Sequence, residues 1–390
     1  MTPSRRKIIT WGVVAATLLI GFNIVYVSWS TGFVHQAAVV LETDHYRYIE
    51  MARGPEHYSA SWQAHEAPFC WRLFTPYLAF LLTRTGLNLN PAYYLITNVF
   101  LFGFLLILYL FLRASGFNIK YSLLGMVLVG LTPGAVRWYE YQYWMADPAG
   151  LFFLFLAFYL IRTGRDNYML PLSVIAVINR GSFLIIFVYY FLFLLKNQGW
   201  RKAGKRTLAI AAVPIIAVLI IHYYIIVAVP HDIGMTLNRT IAFRYNNLWF
   251  NQAYLFTVGS LGIIFPLLLL FPKKIIKYCC REYDSLIFVI AIYAQLAIAN
   301  NTDRLLAYAL PVLLPAALWN LRKFSGRLHI PTAPLIALIF LLQLLYYTGT
   351  IFYRQAAISV FQPTNLTVVY AFSLFWILSQ ATLYLRKAGT

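Results

Sequence analysis

Apolar runs of about 20 residues recur along this chain, separated by polar stretches that carry nearly all of its charge. A helix of that length crosses a bilayer core of roughly 30 Å. The pattern therefore predicts an all-α polytopic membrane protein. The runs fall near 8–29, 91–112, 121–136, 147–161, 207–229, 254–271, 285–299, 305–320, 333–352 and 367–385. Two shorter runs, 168–178 and 182–195, flank Asn179-Arg180-Gly181 and read as a broken pair. Together they predict roughly 12 transmembrane helices. The first run is too long for a cleaved signal peptide and lacks a small-residue cleavage site, so it is expected to be retained.

Two polar stretches stand out between the runs. Residues 30–86 form a long first external loop, with a short amphipathic or re-entrant helix expected over 71–86. Residues 230–253 form a second external loop, aromatic and arginine-bearing, suited to lie at the membrane interface. Neither is long enough to be a soluble domain, so one transmembrane domain over 1–390 is expected. The sequence shows no internal repeat.

Charge orients the bundle. Lys and Arg cluster at 5–7, 113, 162–165, 196–206, 273–281, 322–327 and 386–387, which marks those ends as cytoplasmic and places both termini inside. The net charge of +19 thus reflects topology. It points to anionic membrane lipids as neighbours and not to nucleic acid. With 61% hydrophobic and only 11% charged residues, a soluble enzyme is excluded. Cys70, Cys279 and Cys280 predict neither a disulfide framework nor a zinc site. His222 is expected to pack inside a span, and the remaining histidines show no tight ligand spacing.

This topology sorts the side chains by chemistry. Every lysine falls inside, whereas the outer cations are arginines. Of the 12 acids only Asp166, Glu282 and Asp284 fall inside, which leaves nine outside. Arginine presents a planar donor fork that matches phosphate bidentately. An outer face of arginines and acids suits a site that handles a phosphate-bearing lipid.

Five groups of residues could carry that chemistry. The first is Glu42, Asp44, His45, Tyr48, Glu50, Glu66 and Arg72, in which Asp44 and Tyr48 share one face if the segment is helical. Asp44 could take a proton from an acceptor hydroxyl, while Glu50, Glu56 and Glu66 could instead pair with Arg47, Arg53 and Arg72. The second is Glu140 with Asp147-Pro148, where Asp147 either caps a helix ahead of Pro148 or orients an acceptor or a divalent metal. The third is Asn179-Arg180, an arginine that either snorkels from a helix end or faces a polar cavity. The fourth is Asp303-Arg304, either a plain helix start or a lipid-phosphate clamp through Arg304. The fifth is His231, Asp232, Arg239 and Arg244 with Tyr245, Trp249 and Phe250, either a lid or an aromatic belt.

In order along the chain, these residues resemble the GT-C superfamily of polyprenyl-phosphate-sugar-dependent glycosyltransferases. The likeness rests on Asp44 in the first external loop, Ala67-Pro68-Phe69 with Arg72-Leu73 and Pro76-Tyr77-Leu78, Asp147-Pro148, Asn179-Arg180 at the broken pair, and Asp303-Arg304 with Pro311. It covers about 40–315 and leaves the last two spans unmatched. It implies a GT-C-like fold and an enzyme that takes sugar from a polyprenyl-phosphate-linked donor. The acceptor would be a glycan, lipid or protein on the external face. Separately, the sequence shows no long soluble domain or retention signal, so a bacterial inner membrane with the site toward the periplasm is expected. Carried over, Asp44 is the catalytic base and Arg304 a donor-phosphate ligand. Arg180, Arg72, Asp147, Glu140, His45 and Tyr48 are substrate-binding candidates. Many relatives carry an acid after the arginine of the broken span, whereas Gly181-Ser182 follow here. A divalent metal, Mg or Mn, is compatible with the acids but not required by the sequence. Two other activities would use the same arginines: a polymerase or ligase of lipid-linked glycans, and a transporter or flippase of lipid-linked sugars. The chain lacks the repeated halves that many transporters show.

Overall fold

A computed structural model describes residues 3–31, 45–230, 232, 234–235, 237–238, 260–295, 302–355, 358–363 and 366–388. The described chain is almost entirely helical. In order, its helices are α1 (Pro3–Thr31), α2 (His45–Ala52), α3 (Pro55–Ala60), α4 (Phe74–Thr83), α5 (Leu89–Ala114), α6 (Ile119–Gly130), α7 (Arg137–Tyr141), α8 (Asp147–Arg162), α9 (Met169–Asn179), α10 (Ile185–Gln198) and α11 (Trp200–Tyr224). After them come α12 (Ile264–Leu268), α13 (Pro272–Arg281), α14 (Tyr283–Ala294), α15 (Thr302–Leu306), α16 (Leu310–Leu328), α17 (Thr332–Thr348) and α18 (Leu366–Ala388). Two strands, β1 (Thr350–Gln355) and β2 (Ile358–Pro363), pair antiparallel between α17 and α18.

Five stretches are long and apolar enough to cross a membrane: Lys7–Ser30, Leu89–Ala114, Gly181–Gln198, Trp200–Tyr224 and Arg304–Leu328. Shorter apolar helices accompany them at Phe74–Thr83, Ile119–Gly130, Tyr283–Ala294, Thr332–Thr348 and Ala371–Leu385. The 26 residues of α5 extend about 39 Å at 1.5 Å each, enough to span with some tilt. Leu208, Leu219, Ile220 and Tyr223 on α11 are exposed, as lipid-facing side chains would be. The chain is an integral membrane protein of helical type.

It groups into two compact units: Met1–Ala114 with Arg137–Asp232, and Ser115–Val136 with Ile233–Thr390. In the first, α5 packs along α8 through aromatic edges, with Phe104 and Phe155 rings 5.1 Å apart and Phe100 and Phe153 5.7 Å apart. Helix α1 lies against α5 at Gly12, where a Cβ would meet the Tyr109 ring at 2.8 Å. Small residues bring membrane helices together in this way, because van der Waals contact is the main attraction left in lipid. On the side read as cytoplasmic, Arg206 of α11 pairs with buried Asp166 at 2.8 Å, and the Tyr190 hydroxyl of α10 donates to the same carboxylate.

In the second unit, the run expected as a span over 254–271 is not one helix in its described part. After Ser260 and Leu261 the chain turns at Gly262 (φ 56°), forms the single turn of α12 and breaks again. Backbone groups freed by a break must find partners inside lipid, and side-chain amides and one indole supply them. Buried Gln343 of α17 accepts from the Ile263 N–H at 3.0 Å. It also donates to the Leu128 and Leu131 carbonyls at 3.2 and 2.9 Å. Buried Asn320 of α16 donates to the Leu267 and Leu268 carbonyls at 3.1 and 2.8 Å. From α18, Trp376 and Gln380 donate to the Leu269 and Leu270 carbonyls, each at 3.0 Å.

Candidate functional site

Residues from four sequence-distant segments of the first unit meet around the start of α4. Helix α2 turns His45, Tyr48 and Ala52 inward, as 3–4-residue spacing requires. The Tyr48 hydroxyl accepts from Arg72, its carbonyl accepts from the Tyr93 hydroxyl at 2.6 Å, and its ring meets Phe69 edge-on at 5.9 Å. The Phe69 ring in turn carries two guanidinium groups, Arg47 at 4.7 Å and Arg72 at 5.1 Å. This cation–π arrangement holds both cations in place without neutralising them.

The acids of this segment choose specific partners. Arg47 pairs with Glu66. Glu50 takes Arg53 at 3.3 Å and His57 at 3.1 Å. Among the described residues Arg72 reaches Tyr48 and Phe69, and Glu66 pairs with Arg47 instead. Residues 65–67 are tied to the stretch that follows α11: the Ala67 N–H donates to the Val229 carbonyl at 3.0 Å, and the Ala228 N–H to the His65 carbonyl at 3.2 Å. The Ala67–Pro68 peptide is cis. The Cys70 thiol is buried, and desolvation pushes it up to about 11, an inert thiol.

The broken pair is joined to α4 and α8. The Leu73 N–H donates to the Ile178 carbonyl at 3.0 Å. Thr75 donates to the Asn179 Oδ1 at 2.8 Å, and the Asn179 Nδ2 donates to the Ala146 carbonyl at 2.8 Å. One residue further on, the Arg180 guanidinium forms an ion pair with Asp147. Both are buried, Asp147 completely. Two expectations are thereby decided. Ala146, not Asp147, holds the N-cap position of α8, and no side chain caps that helix. Arg180 does not snorkel; it turns inward to a carboxylate on the neighbouring helix.

Glu140 on α7 is almost fully buried. Tyr94 and Asn98 of α5 face its carboxylate, yet no well-aligned hydrogen bond closes on either oxygen. Burial pushes its pKa up to about 7, with Tyr94 and Asn98 pulling weakly the other way. Nearby in sequence, the Trp144 ring lies 5.0 Å from the buried His45 ring.

Asp44 lies outside the described residues, as do Glu42, His231, Arg239, Arg244 and 245–250. Arg304 belongs to the second unit, where it is buried on α15. His222, expected inside a span, is exposed at the end of α11 with its ring 4.0 Å from that of Trp71. Among the described residues no group of three or more His, Cys, Asp or Glu could hold a metal ion. Asp147, already matched by a guanidinium, is a poor cation ligand. Sequence reasoning passed over Tyr93, Trp144 and the platform role of Phe69. A tyrosine in the first turn of a span was the available signal for Tyr93.

No protein-family model matches the chain, and no curated protein is significantly similar to it.

Proposed function

We propose that this chain is a GT-C-type membrane glycosyltransferase of roughly 12 spans, resident in a bacterial inner membrane. Its site would face the periplasm. It would move a sugar from a polyprenyl-phosphate-linked donor to a glycan, lipid or protein acceptor. The observation that supports this most is the meeting of 45–72, 146–147 and 178–180 around the start of α4. Those segments carry most of the residues on which the resemblance rests, and the first of them begins at the residue after Asp44.

In the proposed reaction the acceptor hydroxyl oxygen attacks the sugar's anomeric carbon. The bond from that carbon to the phosphate oxygen breaks, and configuration inverts. Asp44 takes the hydroxyl proton, and the polyprenyl phosphate departs with the electron pair. Positive charge beside a departing phosphate lowers the barrier without a nucleophile on the enzyme. Arg72 suits this role in the first unit, since among the described residues no carboxylate pairs with it. The resemblance assigns the donor phosphate to Arg304. Arg180, matched by Asp147, would position the α8–α9 junction.

The test is transfer from a radiolabelled lipid-linked sugar by purified protein. Asp44→Asn should abolish transfer while folding and donor binding persist. Full activity in that variant removes Asp44 from the mechanism. Glycan extension that survives the substitution would identify a polymerase or ligase. Movement of intact donor across vesicles without sugar release would identify a flippase.

A further inference from the structure

Basic loops that mark membrane topology ordinarily keep their charges apart, because like charges repel and each is best solvated alone. The second unit does the opposite at one point. Lys274 on α13 and Arg327 on α16 share one aromatic ring, and Lys323, one helical turn before Arg327, adds a third charge beside them. Both Arg327 and Lys274 sit over the ring of buried Phe271, at 5.1 and 5.5 Å. Lys323 sits over the half-exposed Trp319 ring at 4.6 Å. Among the described residues no carboxylate pairs with any of the three. The first turn of α13 holds Lys273 and Lys274 and no acid, although the positive end of a helix disfavours cations there.

The cost is visible on Lys274, whose pKa falls to about 8. The nearby Lys323 ammonium is the largest cause, followed by partial burial and the Arg327 charge. Three cations held together against their repulsion, on aromatic rings that fix their positions, are arranged for an anion. One guanidinium fork and two ammonium point charges match the oxygens of a phosphate. The lysine distribution places this face in the cytoplasm, where anionic headgroups lie against such residues.

We propose that Lys274, Lys323 and Arg327, gathered around Phe271 and Trp319, form a binding site for a phosphate group. An anionic phospholipid headgroup is the source at hand on this face. The site is in the second unit and does not depend on the glycosyl-transfer reading.

The experiment uses the full-length protein in neutral detergent. Native mass spectrometry counts retained phosphatidylglycerol, with phosphatidylcholine as the zwitterionic control. The variant Lys274→Gln/Lys323→Gln/Arg327→Gln should retain phosphatidylglycerol on the order of tenfold less than the wild type. Freed of mutual repulsion, it should also melt higher than the wild type when both are stripped of lipid. Neutralising Lys196, Lys202 and Lys205 should leave retention unchanged. Displacement of the lipid by millimolar inorganic phosphate assigns the phosphate alone as ligand; resistance to it assigns the intact lipid. Equal retention by wild type and the first triple variant overturns the proposal, as does an equal loss in the control variant.

Discussion

Removing one member of the Asp147–Arg180 pair should damage the first unit far more than removing both. The two groups are buried, Asp147 completely and Arg180 at 8% exposure. Asp147→Asn leaves a guanidinium in a poorly solvated place without the charge it pairs with. Breaking a buried pair from one side costs about 3–5 kcal/mol, whereas replacing both partners with neutral groups is often nearly neutral. Arg180→Gln should cost a similar amount through the stranded carboxylate. The double variant Asp147→Asn/Arg180→Gln should recover most of the loss, giving a coupling of roughly 3 kcal/mol between the two positions. The assay is thermal unfolding in detergent, followed by the accessibility of buried Cys70 to a thiol-reactive fluorophore. Each single variant should lower the midpoint on the order of 10 °C, and the double variant by much less. Strictly additive losses would refute the reasoning, because they would mean that neither charge depends on the other. The same proteins separate structure from chemistry. A double variant that folds but transfers nothing assigns the pair a part in the reaction beyond holding α8 to the broken helix.

Other outcomes follow from single side chains. Glu140 has a folded pKa of about 7 against an ordinary value of 4.5, so between those values the folded state binds more protons than the unfolded one. Stability should therefore fall as pH rises from 4.5 to 7, by up to roughly 3 kcal/mol. Glu140→Gln should remove that slope and melt higher at pH 8; an unchanged slope in the variant would count against it. Gln343→Leu strands the Ile263 N–H and the Leu131 carbonyl, and should cost about 3 kcal/mol in a denaturant titration. Asn179→Leu loses the links to Thr75 and Ala146 and should cost about 2 kcal/mol by the same measurement. A loss no larger than that from an exposed control such as Val188→Ala would show those links to be idle.

Much of the helical plan is readable from the chain because long apolar runs end at charges. The run 147–161 becomes Asp147–Arg162, and the broken pair becomes Met169–Asn179 and Ile185–Gln198 around an extended Arg180. Boundaries move where local chemistry outweighs hydrophobicity. The run 121–136 stops at Gly130, shortly before Pro133 and Gly134, and the run 333–352 stops at Thr348 ahead of a hairpin. The break inside 260–271 was hidden for another reason. Its partners are Asn320, Gln343, Trp376 and Gln380, and polar residues within apolar runs do not announce which backbone they serve. Partner choice in the candidate site was equally hidden. Arg47 reaches Glu66 across a separation of 19 residues that includes α3, while the nearer Arg72 goes to Tyr48.

The interrupted backbone at 260–271 imposes a sequence of events on biogenesis. Carbonyls emerging there cannot settle in lipid until helices translated 50 to more than 100 residues later arrive with their side-chain N–H donors. The stretch must wait in the translocon's aqueous interior or at the headgroup level meanwhile. A ribosome that stops before Trp376 therefore leaves an unfinished half far upstream, and quality-control proteases would meet the lesion at a place remote from the missing residues.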